Sequence, residues 1–299
     1  MFTRIPICRR LIFHWVSGLL ILLVAISLPA CSEPTASPTL PPGASPQAAD
    51  SPTPSLVPVS TVQAAATPTV PLPSPTPGLE ICSPLNGVPL SEIPDRIANP
   101  FHPPRLGSDD PHQGVDLADL DPIGGYARQG LEVNAVLRGR VAAVIDDRFP
   151  YGNGVMVETP LSEIPAQWLS RMELPGRGEA SLYHSSLTCP PIKADPTWRM
   201  DEPSLYLLYA HLAQAPSFKL DDQLSCGQVL GAIGETGNAL NPHLHLELRV
   251  GPGAVRFAGM AHYDTSATQE EMGNYCLWRV SALFPLVDPV KLLSIPAGN

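Results

Sequence analysis

One short run of alternating residues constrains the fold of this chain more than any other feature. In the segment NPHLHLEL, His243, His245 and Glu247 each stand next to a leucine, so polar and apolar positions alternate. Successive side chains of a β-strand point to opposite faces of the sheet. The alternation therefore predicts a strand with one face of leucines in a core and an opposite face that carries the two histidines, extended by the glutamate.

Three further side chains complete a set that can bind a metal ion. His112 and Asp116 lie four residues apart in HQGVDLAD, and His211 lies in YAHL. Side chains four apart in an extended segment point to the same side, so His112 and Asp116 can converge. Two imidazoles and one carboxylate hold Zn²⁺ while leaving a position open for water, as in hydrolytic zinc sites. A lone histidine is more often structural, so the combination carries the prediction.

The same segments carry a resemblance to a known family. Together with LEVNAVLRGRVAAV, YGNG and CGQVLGAIGETGN, they resemble the lysostaphin/LytM-type zinc endopeptidases, which cut peptide bonds in bacterial peptidoglycan. The resemblance implies a single Zn²⁺ ion bound by His112, Asp116 and His245. It also implies that His211 and His243 are the two unligated catalytic histidines. A zinc metallo-endopeptidase that hydrolyses peptidoglycan peptides in cell-wall remodelling is therefore expected.

Two other function classes stay open beside the peptidase. A non-catalytic domain of the same fold could bind and regulate other cell-wall hydrolases, but some proteins of that kind have lost their metal ligands, which are all present here. An exported zinc-binding lipoprotein without hydrolytic activity would not need His211 and His243 at the family's positions. Which of these two histidines acts as the base, and which peptide bond is cut, also stays open.

The region from Glu80 to Asn299 is predicted to be mainly β. Six β-branched or alternating runs are separated by Gly, Asn and Pro, namely LEVNAVL, GRVAAVI, GVMVETP, SLYLLYAHL, QVLGAIG and HLHLELRV. Many short strands and few helical periodicities predict an antiparallel, sandwich-like β fold with few helices. Residues 160–203 are rich in Pro and charge and are predicted to be an insertion, with a short helix at IPAQWLSRME. Residues 251–299 are expected to form a C-terminal extension.

The N-terminus has the composition of an export signal. Three arginines precede an apolar stretch that ends in LPAC, which resembles the bacterial lipoprotein signal. We expect residues 1–31 to be a signal peptide with Cys31 as the lipidated residue, and an uncleaved signal anchor is the alternative. Both alternatives place the catalytic region outside the cytoplasmic membrane, anchored to a bacterial membrane and facing the cell wall.

Residues 32–79 differ from the rest of the chain in composition. Pro, Thr, Ser and Ala dominate this segment, which has neither Lys nor Arg and no aromatic residue. Such a segment cannot bury a core, so a disordered, extended linker is expected. In polyproline II, at about 3.1 Å per residue, it would reach roughly 150 Å.

The net charge narrows the classes of possible partner, and the cysteine content indicates how the cysteines are bonded. The formal net charge is −10 and no basic stripe is present, which argues against nucleic-acid partners. The cysteines of the folded region are too scattered to form CxxC pairs. Outside the cytoplasm, two disulfides are therefore expected, with three connectivities open. These cysteines are Cys82, Cys189, Cys226 and Cys276.

Overall fold

The computed structural model describes residues 78–102, 105, 109, 112–176, 187–191 and 194–296. The expected signal peptide, Cys31 and most of the expected linker lie outside the described residues. Within the described ranges, no helix has the length and apolar character needed to span a membrane.

Short and long β-strands account for most of the regular structure in the described part of the chain. The strands are β1 (Ile97–Asn99), β2 (Val115–Leu117), β3 (Asp119–Leu120), β4 (Ala127–Arg128), β5 (Glu132–Asn134), β6 (Gly139–Arg148), β7 (Gly152–Pro160), β8 (Arg199–Leu212), β9 (Gln223–Leu224), β10 (Val229–Ala232), β11 (Leu244–Gly253) and β12 (Leu286–Val287). The helices are α1 (Ala166–Met172), α2 (Gln269–Val280), α3 (Pro289–Leu293) and the 3₁₀ helices Leu90–Arg96 and Leu161–Glu163. The prediction of a mainly antiparallel β fold with few helices is confirmed.

One large antiparallel sheet organises the molecule. Its strand order is β1-β2-β11-β8-β7-β6-β9, and β12 pairs with β11 beside this path. Two small sheets, β5 with β10 and β3 with β4, complete the strand pairing that the described residues show. All six runs that the sequence predicted as strands overlap one of these strands. The long strands β11, β8, β7 and β6 are adjacent in this order. Strands β6 and β7 form a hairpin, whereas β8 pairs with β7 and β11 across longer stretches of chain.

The large sheet is buried on both faces. Val157, Leu207 and Leu246 belong to one core, which also includes residues of β5, β10, α1 and α3. Met156 and Leu208, from the opposite faces of the same strands, belong to a second core with Phe257, Trp278 and Phe284. A strand buried on both faces needs apolar residues at successive positions, which explains the run LYLLYA in β8.

The C-terminal region is therefore part of the main fold, because it covers the second face of the sheet. Helix α2 begins with a capping box, in which the Thr268 hydroxyl accepts from the Glu271 backbone N–H at 3.1 Å. The Glu271 carboxylate accepts in return from the Thr268 backbone N–H at 2.8 Å. From this start, α2 places Trp278 in the second core.

The range 160–203, predicted to be an insertion, contains α1 and the first residues of β8. The helix expected at IPAQWLSRME is present as α1, and β8 begins at Arg199. The reason is the partner strand, because β11 continues to Gly253 and pairs with Arg199 through an irregularity in the register. The start of β8 thus depends on the length of β11, and the composition of residues 199–203 did not indicate a strand there.

The four cysteines of the folded region form two disulfides. Cys82 is bonded to Cys226, at a sequence separation of 144. Cys189, in the predicted insertion, is bonded to Cys276 on α2, at a sequence separation of 87. Each bond closes a long loop of chain, which restricts the unfolded state more than a short loop would.

Reduction of the disulfides is expected to destabilise the fold. We expect each bridge to contribute about 2–5 kcal/mol to the free energy of unfolding, because each one closes a long loop in the unfolded chain. Urea unfolding of the wild type, of Cys82→Ser/Cys226→Ser and of Cys189→Ser/Cys276→Ser measures the two contributions separately. An unchanged midpoint in both double variants would contradict the expectation.

Candidate metal centre

Neighbouring strands bring His112, Asp116 and His245 together. Asp116, on β2, lies opposite His245, on β11, in the antiparallel register, so the two side chains leave the same face of the sheet. His112 Nε2 lies 3.2 Å from Asp116 Oδ2, and His245 Nδ1 lies 2.7 Å from Asp116 Oδ1. One ligand atom from each of the three lies within 4.8 Å of the others.

A glycine between the first two of these residues permits the close approach of the strands. A Cβ at Gly114 would lie 2.4 Å from the carbonyl oxygen of Leu246 and 3.0 Å from the ring of His245. Real Cβ atoms do not approach a backbone oxygen so closely, so a side chain at this position would push the strands apart. The glycine in HQGVDLAD therefore has a packing role at the site.

The tautomer of His245 indicates that a metal cation fits between these side chains. Its Nε2 lies 3.2 Å from Glu247 Oε1, and a carboxylate only accepts, so Nε2 carries the hydrogen. Nδ1 lies 2.7 Å from Asp116 Oδ1, which also only accepts, so either a second ring proton or a metal cation must lie between these two atoms. A ring that has lost that second proton has a lone pair on Nδ1, to which a metal cation can bind. Ligands about 2 Å from zinc in a tetrahedron lie roughly 3.3 Å apart, which agrees with the spacing of the cluster.

The electrostatics of the cluster follow from the same contacts. Burial would raise the pKa of Asp116, but hydrogen bonds from His112 and His245 hold it well below its usual range. Burial would lower the pKa of His245, yet the carboxylates of Asp116 and Glu247 outweigh it and raise that pKa to about 9. Without a metal ion, a proton is therefore favoured on Nδ1 of His245, where a metal cation would bind.

A second group of ligand-type residues does not have this chemistry. Glu80, Cys82 and Cys226 also bring potential ligand atoms within 4.8 Å of one another. The two sulfur atoms are joined in a disulfide, however, and a disulfide is not the thiolate that binds zinc. Among the described residues, His112, Asp116 and His245 are thus the cluster that suits a metal ion.

His211 and His243, which the sequence predicted to be catalytic, lie beside the cluster. Their ring centroids are 4.8 Å apart, and the ring of His211 is 5.8 Å from that of His245. The Nδ1–H of His211 donates to the Thr236 carbonyl at 2.7 Å, and the Nδ1–H of His243 donates to the Asn241 carbonyl at 2.7 Å. In both rings Nε2 is the atom left for chemistry.

His211 is held in an unusual state by its surroundings. Its φ of 61° is in the left-handed region, which is uncommon for a residue with a side chain, and its backbone N–H donates to the Tyr151 carbonyl. Burial, with the neighbouring rings of His245 and His243, lowers the pKa of His211 to about 3. The ring is therefore neutral at pH 7, with an acceptor at Nε2.

A cleft of about 940 Å³ opens over these five side chains. The rim of the cleft is apolar and exposed, with Leu240 90% exposed, Tyr126 64% and Tyr263 60%. One part of the rim comes from the β3–β4 hairpin and another from the loop that precedes β11. A trough of this size with a polar floor and an apolar rim suits an extended peptide segment.

Sequence reasoning missed the C-terminal side of this site. Tyr263, Tyr275 and Arg279 also line the cleft, and Arg279 Nε donates to Asp109 Oδ1 at 2.9 Å. Nothing local in the sequence around Arg279 indicates a site, because the helix reaches the cleft only by packing on the second face of the sheet.

Comparisons with known proteins give matches to solved structures only, since no family model and no curated protein matches the chain. A mutant catalytic domain of the prophage-encoded M23 protein EnpA from Enterococcus faecalis is 18% identical, with a TM-score of 0.31, and the match covers 54% of this chain and 84% of that chain. The catalytic domain of the antimicrobial peptidase lysostaphin from Staphylococcus simulans is 18% identical, with a TM-score of 0.30, over 54% and 83%.

A third solved structure, a zinc containing peptidase from Vibrio cholerae, is 21% identical, with a TM-score of 0.28, and the match covers 51% of this chain and 32% of that chain. Likenesses at these identities and TM-scores do not define an activity, which depends on the side chains of the site. Among solved structures, the chain is thus similar to M23 peptidases of the LytM and lysostaphin type.

Proposed function

We propose that this chain is a zinc-dependent endopeptidase that hydrolyses peptide bonds of peptidoglycan. The observation that carries the proposal is the convergence of five side chains at one cleft. Three of them have the donor set of a hydrolytic zinc site, and two imidazoles present Nε2 beside it. The similarity to solved M23 peptidases agrees with this chemistry and with a role in cell-wall remodelling.

The proposed zinc ligands are His112, Asp116 and His245. Bound there, a zinc ion would lower the pKa of a coordinated water from about 16 toward about 7 and polarise the scissile carbonyl. The chain supports binding in two ways. The carboxylate of Asp116 supplies negative charge, and the Glu247 carboxylate keeps the hydrogen of His245 on Nε2, which leaves Nδ1 as the donor atom.

The two remaining histidines divide the proton chemistry. His211 is neutral at the working pH, so its Nε2 accepts a hydrogen bond from the attacking water and orients it. His243 is less buried, and its Nε2 lies 3.6 Å from Asp116 Oδ1, at the open side of the cluster. An imidazole at that position would stabilise the developing oxyanion, and the proton lost by the attacking water would pass by way of these rings to the leaving amine.

The proposal predicts an acid limit that depends on zinc. Activity is expected to fall as the pH drops through roughly 6, because protons compete with the metal for imidazole nitrogens. His211 stays neutral in this range, since its pKa is about 3, so it does not contribute to the loss. Rates measured at pH 5.5 should recover when excess zinc is added. A pH–rate profile that is flat down to about 5 would contradict the prediction.

The direct test combines metal content with product analysis. The purified chain is expected to contain one zinc ion and to release peptides from isolated peptidoglycan, and mass spectrometry of the products identifies the bond that is cut. A chain that binds zinc but releases no peptide from any peptidoglycan tested would instead favour the non-catalytic regulator.

An extracytoplasmic location, anchored to a bacterial membrane, belongs to the same proposal. It rests on the N-terminal composition and on LPAC, with Cys31 as the residue that carries lipid. Incorporation of labelled fatty acid into the wild type, and its loss in Cys31→Ser, would support the lipoprotein. Labelling that persists in Cys31→Ser would exclude it, and an unlabelled wild type would favour the signal anchor.

A further inference from the structure

A fully buried carboxylate lies behind the metal cluster. Glu247 stands two residues after His245 on β11, and its exposed fraction is 0%. Its two oxygens accept hydrogen bonds from five side chains: His245 Nε2 at 3.2 Å, Tyr151 Oη at 3.2 Å, Arg249 Nη2 at 3.1 Å, Arg279 Nη1 at 3.1 Å and Trp278 Nε1 at 2.8 Å.

This environment keeps the carboxylate ionised in spite of its burial. The guanidinium groups of Arg249 and Arg279 both donate to this carboxylate, so two positive charges lie beside its negative charge. An ionised carboxylate without water is stable only when it is paired and hydrogen-bonded, and here both conditions are met. His245 thus donates to a fixed anion.

Three of the five donors come from outside the segments that hold the ligands. Tyr151 precedes β7, and Trp278 and Arg279 lie near the end of α2, in the C-terminal region. Arg279 also donates to Asp109, three residues before the first proposed ligand, and so joins the carboxylate to that segment. The helix itself is fixed by its capping box at one end and by the disulfide of Cys276.

We propose that Glu247 is a positioning residue for His245, and that Trp278 and Arg279 hold this carboxylate in place. Helix α2 is then a part of the metal site, although none of its residues is a proposed ligand. The inference rests on the proposed function. A fixed acceptor for the Nε2–H selects the tautomer in which Nδ1 has the lone pair that binds the metal. It also makes Nδ1 more basic, which strengthens metal binding.

A matched pair of variants tests the inference. In Glu247→Gln, the amide nitrogen replaces one acceptor oxygen among five donors and the negative charge is lost. Glu158 is the control, because it is also a buried glutamate of the large sheet, 4% exposed, and it pairs with Arg140 and accepts from the Ala254 backbone N–H. Neither of these partners is a proposed ligand, so Glu158→Gln reports the general cost of neutralising a buried glutamate.

Zinc affinity, measured by competition with a chromophoric chelator, and the absorption spectrum of the Co²⁺-substituted chain give readouts that do not depend on activity. We expect Glu247→Gln to bind zinc about 10–100-fold more weakly than the wild type and to change the Co²⁺ bands. We expect Glu158→Gln to keep the affinity and the spectrum of the wild type. Glu247→Gln with wild-type affinity and an unchanged spectrum would overturn the inference.

A milder variant decides the matter if Glu247→Gln does not fold. Trp278→Phe removes one hydrogen bond to the carboxylate and keeps an aromatic ring in the core. Its control is Tyr206→Phe, which removes a buried hydroxyl that donates to the Pro252 carbonyl. Weaker zinc binding in Trp278→Phe alone supports the inference, and equal affinities overturn it. A wild type that binds no zinc overturns the proposed function itself, so the two failures are distinguishable.

Discussion

Replacing His245 with alanine is expected to remove zinc binding and cleavage together. The substitution deletes one of three proposed ligands and leaves Asp116 and the buried Glu247 without the ring that connects them. Loss of a direct ligand should exceed the about 10–100-fold loss of metal affinity that follows loss of an outer partner. Metal analysis after dialysis is the primary measurement, and peptide release from peptidoglycan is the second.

A control for this variant is available in the same fold. His262 is buried to a similar extent, with 6% of its surface exposed against 5% for His245. Its Nε2 donates to the Thr188 carbonyl at 3.0 Å, and neither residue is a proposed ligand. His262→Ala should therefore lose stability but retain zinc. If His245→Ala retained zinc at the wild-type level, the assignment of the metal centre would be wrong.

Replacing His211 is expected to separate the two effects, because zinc should be retained while cleavage is lost. A positioned group that handles protons contributes about 10²–10⁴-fold to rate, so His211→Ala should reduce peptide release by this factor. The zinc content should stay at one ion per chain, because Nε2 of His211 is outside the proposed ligand set. Comparison of initial rates at equal zinc content is the measurement.

The backbone of His211 requires a second variant. Its φ of 61° is tolerated better by asparagine than by most residues, so His211→Asn removes the imidazole with less strain. The two variants should lose activity to the same extent if the ring itself is responsible. A His211→Asn chain that cleaves as fast as the wild type would show that the role assigned to His211 is wrong, even with the zinc site intact.

The strands that matter most were predictable from local pattern. The alternation in NPHLHLEL gives β11, with its leucines in the first core and its histidines beside the cleft, because the two-residue period of a strand is a property of the backbone. The apolar run of β8 similarly indicates a strand with no solvent-facing side. Such inferences need only a few consecutive residues.

The site itself was only partly accessible in this way. The spacing of His112 and Asp116 and the HxH alternation indicated which side chains belong together, and the structure brings them to one cleft. The contacts of Glu247 with Trp278 and Arg279 were not predictable, since Glu247 lies 31 and 32 residues before them in sequence and no periodicity connects them. Their contacts arise where α2 packs on the second face of the sheet.

The sequence by itself determined the strand-forming runs, the residue types that could bind a metal ion and the number of disulfides. Only the tertiary structure decided which cysteines pair, where β8 begins and which helix contacts the buried carboxylate of Glu247. The physical reason is the range of the interactions. Strand alternation acts between near neighbours in the chain, whereas disulfide pairing, strand length and buried charge networks depend on which distant segments the packed sheet brings into contact.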